Sequence, residues 1–101
     1  MTPVTILHEA EAELWQAVEY YESQAQGLGL DFQTEIEVSL HAIAEAPDRW
    51  PLRGDGTRRY LTHRFPYVVV YVHLPGHIWI IAFAHCRRRL QYWSGRVGRA
   101  G

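Results

Sequence analysis

The first half of the chain repeats its apolar residues with the period of an α-helix. From Glu9 onward they recur three and four positions apart, which places them on one helix face. These positions are Ala10, Leu14, Ala17, Val18, Tyr21 and Ala25. Polar residues between them, including Glu13, are assigned to the other faces, and Glu9 and Glu11 suit the positive end of the helix dipole. We predict a helix that starts near Glu9 and weakens at the glycines of residues 27–29.

A second helical pattern follows almost at once. Its apolar stripe consists of Phe32, Ile36, Leu40 and Ile43. Pro47 cannot continue a helix, so the predicted helix covers residues 30–46. A link this short joins two helices as an antiparallel αα-hairpin. Each stripe then needs another surface to cover it.

The second half of the chain has the pattern of β-strands. Apolar, β-branched and aromatic residues predict strands over residues 58–64, 67–73 and 77–85, with a turn at residues 74–76 that pairs the last two as a hairpin. Residues 4–7 predict a further short strand before the first helix. The fold class is therefore α+β, with an N-terminal strand and an antiparallel αα-hairpin on one face of a small, mainly antiparallel, twisted sheet.

Both faces of the predicted hairpin are apolar, yet only one pair of helices is available to cover them. Simple alternation gives an aliphatic face formed by Val68, Val70, Val72, Ile78, Ile80, Ala82 and Ala84. It gives a second, aromatic-rich face formed by Tyr67, Val69, Tyr71, Trp79, Ile81 and Phe83. We expect the helices on the aliphatic face and the aromatic face exposed to a partner. In the alternative, Trp50, Leu52 and Trp93 fold over the aromatic face and complete a core.

The small net charge of −1 conceals a strong asymmetry. Residues 1–48 hold ten of the eleven acids, and residues 49–101 hold all ten basic residues, each of them Arg. This arrangement indicates an acidic face and a basic face, the second suited to an anionic partner. The alternative is that the two halves neutralise each other within one molecule.

Length and composition fit one small domain over residues 1–101, with residues 94–101 as a loose tail. The single cysteine, Cys86, is expected to be buried and inert, and it indicates a reducing compartment such as the cytoplasm. No signal peptide or membrane segment is evident. His63, His73, His77 and Cys86 lack the paired spacing of a metal site, so neither metal nor cofactor is expected.

Several sequence segments, in order and at the right spacing, resemble the RelE/ParE toxin superfamily. The first is residues 12–22, AELWQAVEYYE, which is similar to the family's first helix, and residues 28–32 resemble its interhelix turn. Arg58-Arg59 followed by residues 64–71, RFPYVVVY, resembles its sheet. Residues 82–96, AFAHCRRRLQYWSGR, resemble its ending, except that Leu90 stands where the family usually has Pro. The likeness covers nearly the whole chain.

The resemblance implies the toxin of a type II toxin–antitoxin pair, with two mechanistic alternatives on one fold. RelE-like members cut mRNA in the ribosomal A site without metal, whereas ParE-like members block DNA gyrase and break no bond themselves. For cleavage, the implied catalytic candidates are Arg64, His85, Arg88 and Tyr92, as phosphate ligands, acid or base, and stacking group. The chain has no Lys and no Glu in its central loop, so we favour the ParE-like branch, with His85 bonded to a backbone group.

The partners implied are a cognate antitoxin, in a hetero-complex, and either gyrase or the ribosome with mRNA; no membrane partner is expected. Whether the chain is an enzyme, whether it is toxic and its own oligomeric state stay open. The expected partner-binding residues lie on the aromatic sheet face and in the basic tail. They are Tyr67, Tyr71, Trp79, Phe83, Arg87, Arg88, Arg89 and Trp93.

Overall fold

The computed structural model describes residues 1–89 and 91–101. Two helices, four strands and a short 3₁₀ helix follow one another along the chain. They are β1 (Val4–Ile6), α1 (His8–Gln24), α2 (Leu28–Glu45), β2 (Arg58–Leu61), β3 (Tyr67–Leu74), β4 (His77–His85) and a 3₁₀ helix (Ser94–Arg99). The predicted α+β class is confirmed, with the helical hairpin on one face of a mostly antiparallel sheet.

The two helices come into very close contact at the start of α2. Gly27 precedes α2 with a φ of 86°, a left-handed conformation that costs glycine little. Gly29 lies in the first turn, where an added Cβ would stand 2.6 Å from the carbonyl oxygen of Val18. The Glu22 carboxylate accepts hydrogen bonds from the backbone N–H groups of Gly27 and Gly29 and so fixes the connection. The interhelix link is therefore a tight turn.

The four strands lie in the order β1-β4-β3-β2. β1 pairs in parallel with β4, with Val4 opposite Ile78, and the other two pairings are antiparallel. The N-terminal strand is thus at one edge of the sheet and β2 at the other. Beyond Ile80, β4 has no β1 residue beside it, because β1 ends at Ile6.

A β-bulge in β4 changes which side chains share a face. Val70 lies opposite Ala82 and Tyr71 opposite Ile80, so Ile81 is an extra residue. An extra residue shifts the alternation of a strand by one. The predicted face sets are therefore wrong for β4, because Ile81 and Ala82 lie in the same hydrophobic cluster.

The helices cover the face that was expected to be exposed. The cluster beneath them includes Tyr60, Val69, Tyr71 and Phe83, with Ile78 and Ile80 from the other side of the bulge. Phe32 of α2 packs against Phe65 and Tyr67, with ring centroids 5.1 and 4.9 Å away. Aromatic pairs at these distances contribute beyond their buried area. The predicted placement of the helices on the aliphatic face is wrong, because the large rings fill the space between α1, α2 and the sheet.

The C-terminal segment covers the opposite face. Trp93, only 3% exposed, packs there with Val70, Val72 and Ala84, and Val97 lies against the same cluster. The tail expected to be loose is instead a 3₁₀ helix docked on the sheet. Of the other two expected anchors, Trp50 packs on Tyr60 on the helical side, and Leu52 is exposed.

Within the described residues, no helix is long and apolar enough to cross a membrane. The same part of the chain contains no group of three or more His, Cys, Asp or Glu side chains that would hold a metal ion.

Candidate functional site

Glu13 of α1 is the centre of a polar cluster that holds the C-terminal tail. Its carboxylate accepts hydrogen bonds from the Tyr92 hydroxyl at 2.5 Å and from the backbone N–H of Phe83 at 3.2 Å. Arg96 donates to both of its oxygens, at 3.0 and 3.3 Å, and also to the carbonyl of the bulge residue Ile81. Glu13 was assigned to a helix face outside the apolar stripe, and its side chain is only 12% exposed. Sequence reasoning missed this residue.

Further ion pairs join the acidic first half of the chain to the basic second half. Arg99 pairs with Glu9, Arg64 with Asp31, and Arg58 with Asp48. Together with the Glu13–Arg96 pair, they favour the alternative in which the halves neutralise each other. The arginines that stay outside these pairs are therefore the better candidates for binding a partner.

The residues proposed for RNA cleavage are only partly brought together. His85 ends β4, and Arg88 lies in the turn after it, with its guanidinium 4.1 Å from the centre of the Tyr92 ring. Arg64 lies before β3, where it pairs with Asp31 and lies over the Phe65 ring. It lines neither of the two clefts around His85.

The His85 ring and the Tyr92 hydroxyl are both already engaged in hydrogen bonds within the fold. Its Nδ1 accepts the backbone N–H of Arg87 at 3.0 Å, so in the neutral ring the proton is on Nε2. Burial, together with the Glu13 carboxylate, raises the pKa of Tyr92, and its hydroxyl proton is directed at that carboxylate. A general base needs a free lone pair, and a general acid needs a transferable proton. In this arrangement the neutral His85 ring has no free lone pair for a base, and the Tyr92 proton is already held by Glu13.

A cleft of about 300 Å³ opens on the sheet face opposite the helices, and we call it the arginine cleft. Three arginines contribute to its lining, Arg53, Arg59 and Arg88. Its apolar wall is formed by Leu61, Val68, Ala84 and Trp93. Arg59 lies over the indole of Trp93 at 5.0 Å, which fixes one cation against the wall. The cleft thus combines positive charge with apolar surface.

His85 and Cys86 complete the edge of the arginine cleft. Cys86, expected to be buried, is exposed. His85 and Arg88 also line a smaller cleft of about 160 Å³ on the helical side, beside Glu13, Tyr20 and Tyr67. The end of β4 therefore separates two concave surfaces, one on each side of the sheet.

The residues predicted to bind a partner fall into three groups. Tyr71 and Phe83 are 0% and 2% exposed beneath the helices and offer no surface, so the expected exposed aromatic face is wrong. Tyr67, Trp79 and Trp93 are partly or fully buried, with Trp93 in the wall of the arginine cleft. Arg87, Arg88 and Arg89 are exposed. Leu90, the departure from the family's ending, lies outside the described residues.

Comparison with known proteins agrees with the earlier resemblance. A family model described as the ParE toxin of the type II toxin–antitoxin system, parDE, matches residues 4–90. A solved structure described as the chromosomal ParDE TA system from P. aeruginosa shares the fold, with a TM-score of 0.72 and 17% sequence identity. The similarity covers 84% of this chain and 96% of that one. No protein with a curated description matches the sequence significantly.

The family match spans α1, α2 and the four strands, which are the elements that form the helical core. From this match and the fold, the chain belongs to the ParE toxin family of type II toxin–antitoxin systems.

Proposed function

We propose that this chain inhibits growth by binding DNA gyrase, and that a cognate antitoxin neutralises it in a hetero-complex. Membership of the ParE family supports this mode of action over RNA cleavage. The observation that carries the proposal is the state of His85 and Tyr92, whose lone pair and proton are both held by internal hydrogen bonds. A protein that acts by binding needs no free acid or base. The proposal places its action in the cytoplasm.

The arginines outside the internal ion pairs support a binding role. In the described part of the chain, Arg53, Arg87, Arg88 and Arg89 are exposed and none of them is paired with a carboxylate. Exposed guanidinium groups bind carboxylates and phosphates in a bidentate way. These arginines are therefore the residues that we expect to bind an acidic surface of a target or an antitoxin.

Two assays with the purified chain distinguish the mechanisms. We expect it to inhibit supercoiling by gyrase in proportion to its concentration and to leave ribosome-bound mRNA intact. Cutting of that mRNA, abolished by His85→Ala or Arg64→Ala in a folded variant, would instead establish the RelE-like endoribonuclease.

Expression without an antitoxin tests the biological role. We expect growth to stop on induction. We also expect a short reading frame next to the gene, and growth to resume when that frame is co-expressed. The co-expressed proteins are then expected to elute together on size exclusion. Unimpaired growth would identify a non-toxic, antitoxin-binding relative and refute the proposed inhibition.

A further inference from the structure

The arginine cleft holds more positive charge than the chain itself compensates. Asp55 reaches Arg59 at 3.7 Å, and its other oxygen is held by the Thr57 hydroxyl and N–H. Among the described residues, Arg53 and Arg88 have no carboxylate partner. Within the described part of the chain, the neighbouring cations of Arg53 and Arg59 therefore have a single acid, Asp55, which lies outside the lining of the cleft.

Two further observations concern the charged group of Arg59. Its Nε is buried and has no hydrogen-bond partner. A buried donor without a partner is unfavourable, because it has lost its hydrogen bond to water. Burial and the positive charge of the neighbouring Arg53 lower the pKa of Arg59. The charged form of Arg59 is therefore destabilised, and a bound anion would stabilise it.

The lining indicates which kind of anion fits. Nucleic-acid sites present a basic track and exposed aromatic faces on which bases stack. Here Trp93 is 3% exposed and Arg59 lies over its ring, so the indole offers a base no free face. Val68, Ala84 and the exposed Leu61 instead provide apolar contact beside the arginines. This combination suits a carboxylate carried next to an apolar side chain.

We propose that the arginine cleft binds an acidic side chain of a partner protein, with a neighbouring apolar residue of the same segment placed against Leu61 and Val68. The inference rests on the proposed function, because it gives the chemistry of the segment that the neutralising antitoxin carries. Arg53 binds the carboxylate from the open side, and Arg59 binds it from the wall.

Cys86 provides a direct reporter of occupancy, because it is the single cysteine, is exposed and lines the cleft. The rate at which neutral iodoacetamide alkylates it is measured by intact mass. The probe is a synthetic peptide that alternates Leu and Glu, compared with the same peptide carrying Gln for Glu and with a single-stranded RNA oligonucleotide. We expect the Glu peptide to slow alkylation, the Gln peptide to do so only at about tenfold higher concentration, and the RNA to have no effect.

Matched variants separate the cleft from general charge. Arg53→Gln removes an exposed cleft cation and is expected to raise the protecting peptide concentration about tenfold. Arg49→Gln removes an exposed arginine outside the cleft and is expected to leave it unchanged. Equal protection by the Gln peptide, protection by RNA alone, or equal effects of the two variants would overturn the proposal. The assay contains no gyrase, so a failed supercoiling test leaves its result independent.

Discussion

Removing the Glu13 carboxylate is the strongest test of how the tail is held. Glu13→Ala leaves Arg96 without its carboxylate and leaves the Tyr92 hydroxyl and the Phe83 N–H without their acceptor. Breaking a buried ion pair from one side costs about 3–5 kcal/mol. Arg96 keeps 17% of its side chain exposed, so water replaces part of the lost interaction. We therefore expect the free energy of unfolding to fall by about 3 kcal/mol, the lower end of that range.

The assay is urea unfolding followed by circular dichroism, combined with hydrogen exchange of the tail. Glu19→Ala is the matched control, because Glu19 is an exposed residue of the same helix. It is expected to change stability by less than about 0.5 kcal/mol. In Glu13→Ala, amide protection is expected to fall most in residues 91–101.

A double-mutant cycle with Arg96→Ala measures the pair itself. Contacting residues in one network show coupling energies of about 0.5–3 kcal/mol. If Glu13→Ala destabilised the protein no more than Glu19→Ala, or if the coupling were zero, the assignment of Glu13 as the anchor of the tail would be refuted.

Three further changes test the core and its ionisation. Phe32→Ala is expected to cost about 3–5 kcal/mol in urea unfolding, since Phe32 is 0% exposed, while Leu30→Ala, at a position 65% exposed, stays within about 0.5 kcal/mol. Gly29→Ala places a Cβ 2.6 Å from the Val18 carbonyl oxygen and is expected to lower the melting temperature by forcing the helices apart, at a cost of about 1–3 kcal/mol. Burial raises the pKa of Tyr71 from 10.0 to about 12, so stability present below pH 10 is lost as the pH rises towards 12, and Tyr71→Phe is expected to reduce that loss in unfolding measured across this range.

The helices and strands could be predicted because the apolar residues recur along the chain with the period of each element. The stripe from Phe32 to Ile43 gave α2 to within two residues at its start, and residues 77–85 were predicted with the bounds that β4 has. Such regular signals depend on local sequence alone.

The faces of the sheet could not be predicted, because a bulge leaves little trace in composition. The extra residue Ile81 and its neighbour Ala82 are both apolar, and no glycine or proline marks the position. Alternation continued through that point therefore assigned half of β4 to the wrong side. We had expected the helices to cover the face with the smaller side chains. The large rings instead lie in the core between the helices and the sheet.

The Glu13 cluster was missed because it joins residues 83 positions apart, beyond any local pattern. One signal was available. Glu9 and Glu13 are one helical turn apart, and Arg96 and Arg99 show the matching spacing in the tail. Pairing these two spacings would have predicted a docked tail in place of a loose one.

The pairing of Val4 with Ile78 has a consequence for synthesis of the protein. In the described sheet β1 lies beside β4, the strand that follows it last along the chain, so the sheet stays incomplete on the ribosome until residues near position 80 are free of it. An unfinished chain that stops before Tyr67 has the acidic helices but neither the β4 end nor the arginines of residues 87–89. We therefore expect a product that stops before Tyr67 to lack the proposed inhibitory activity.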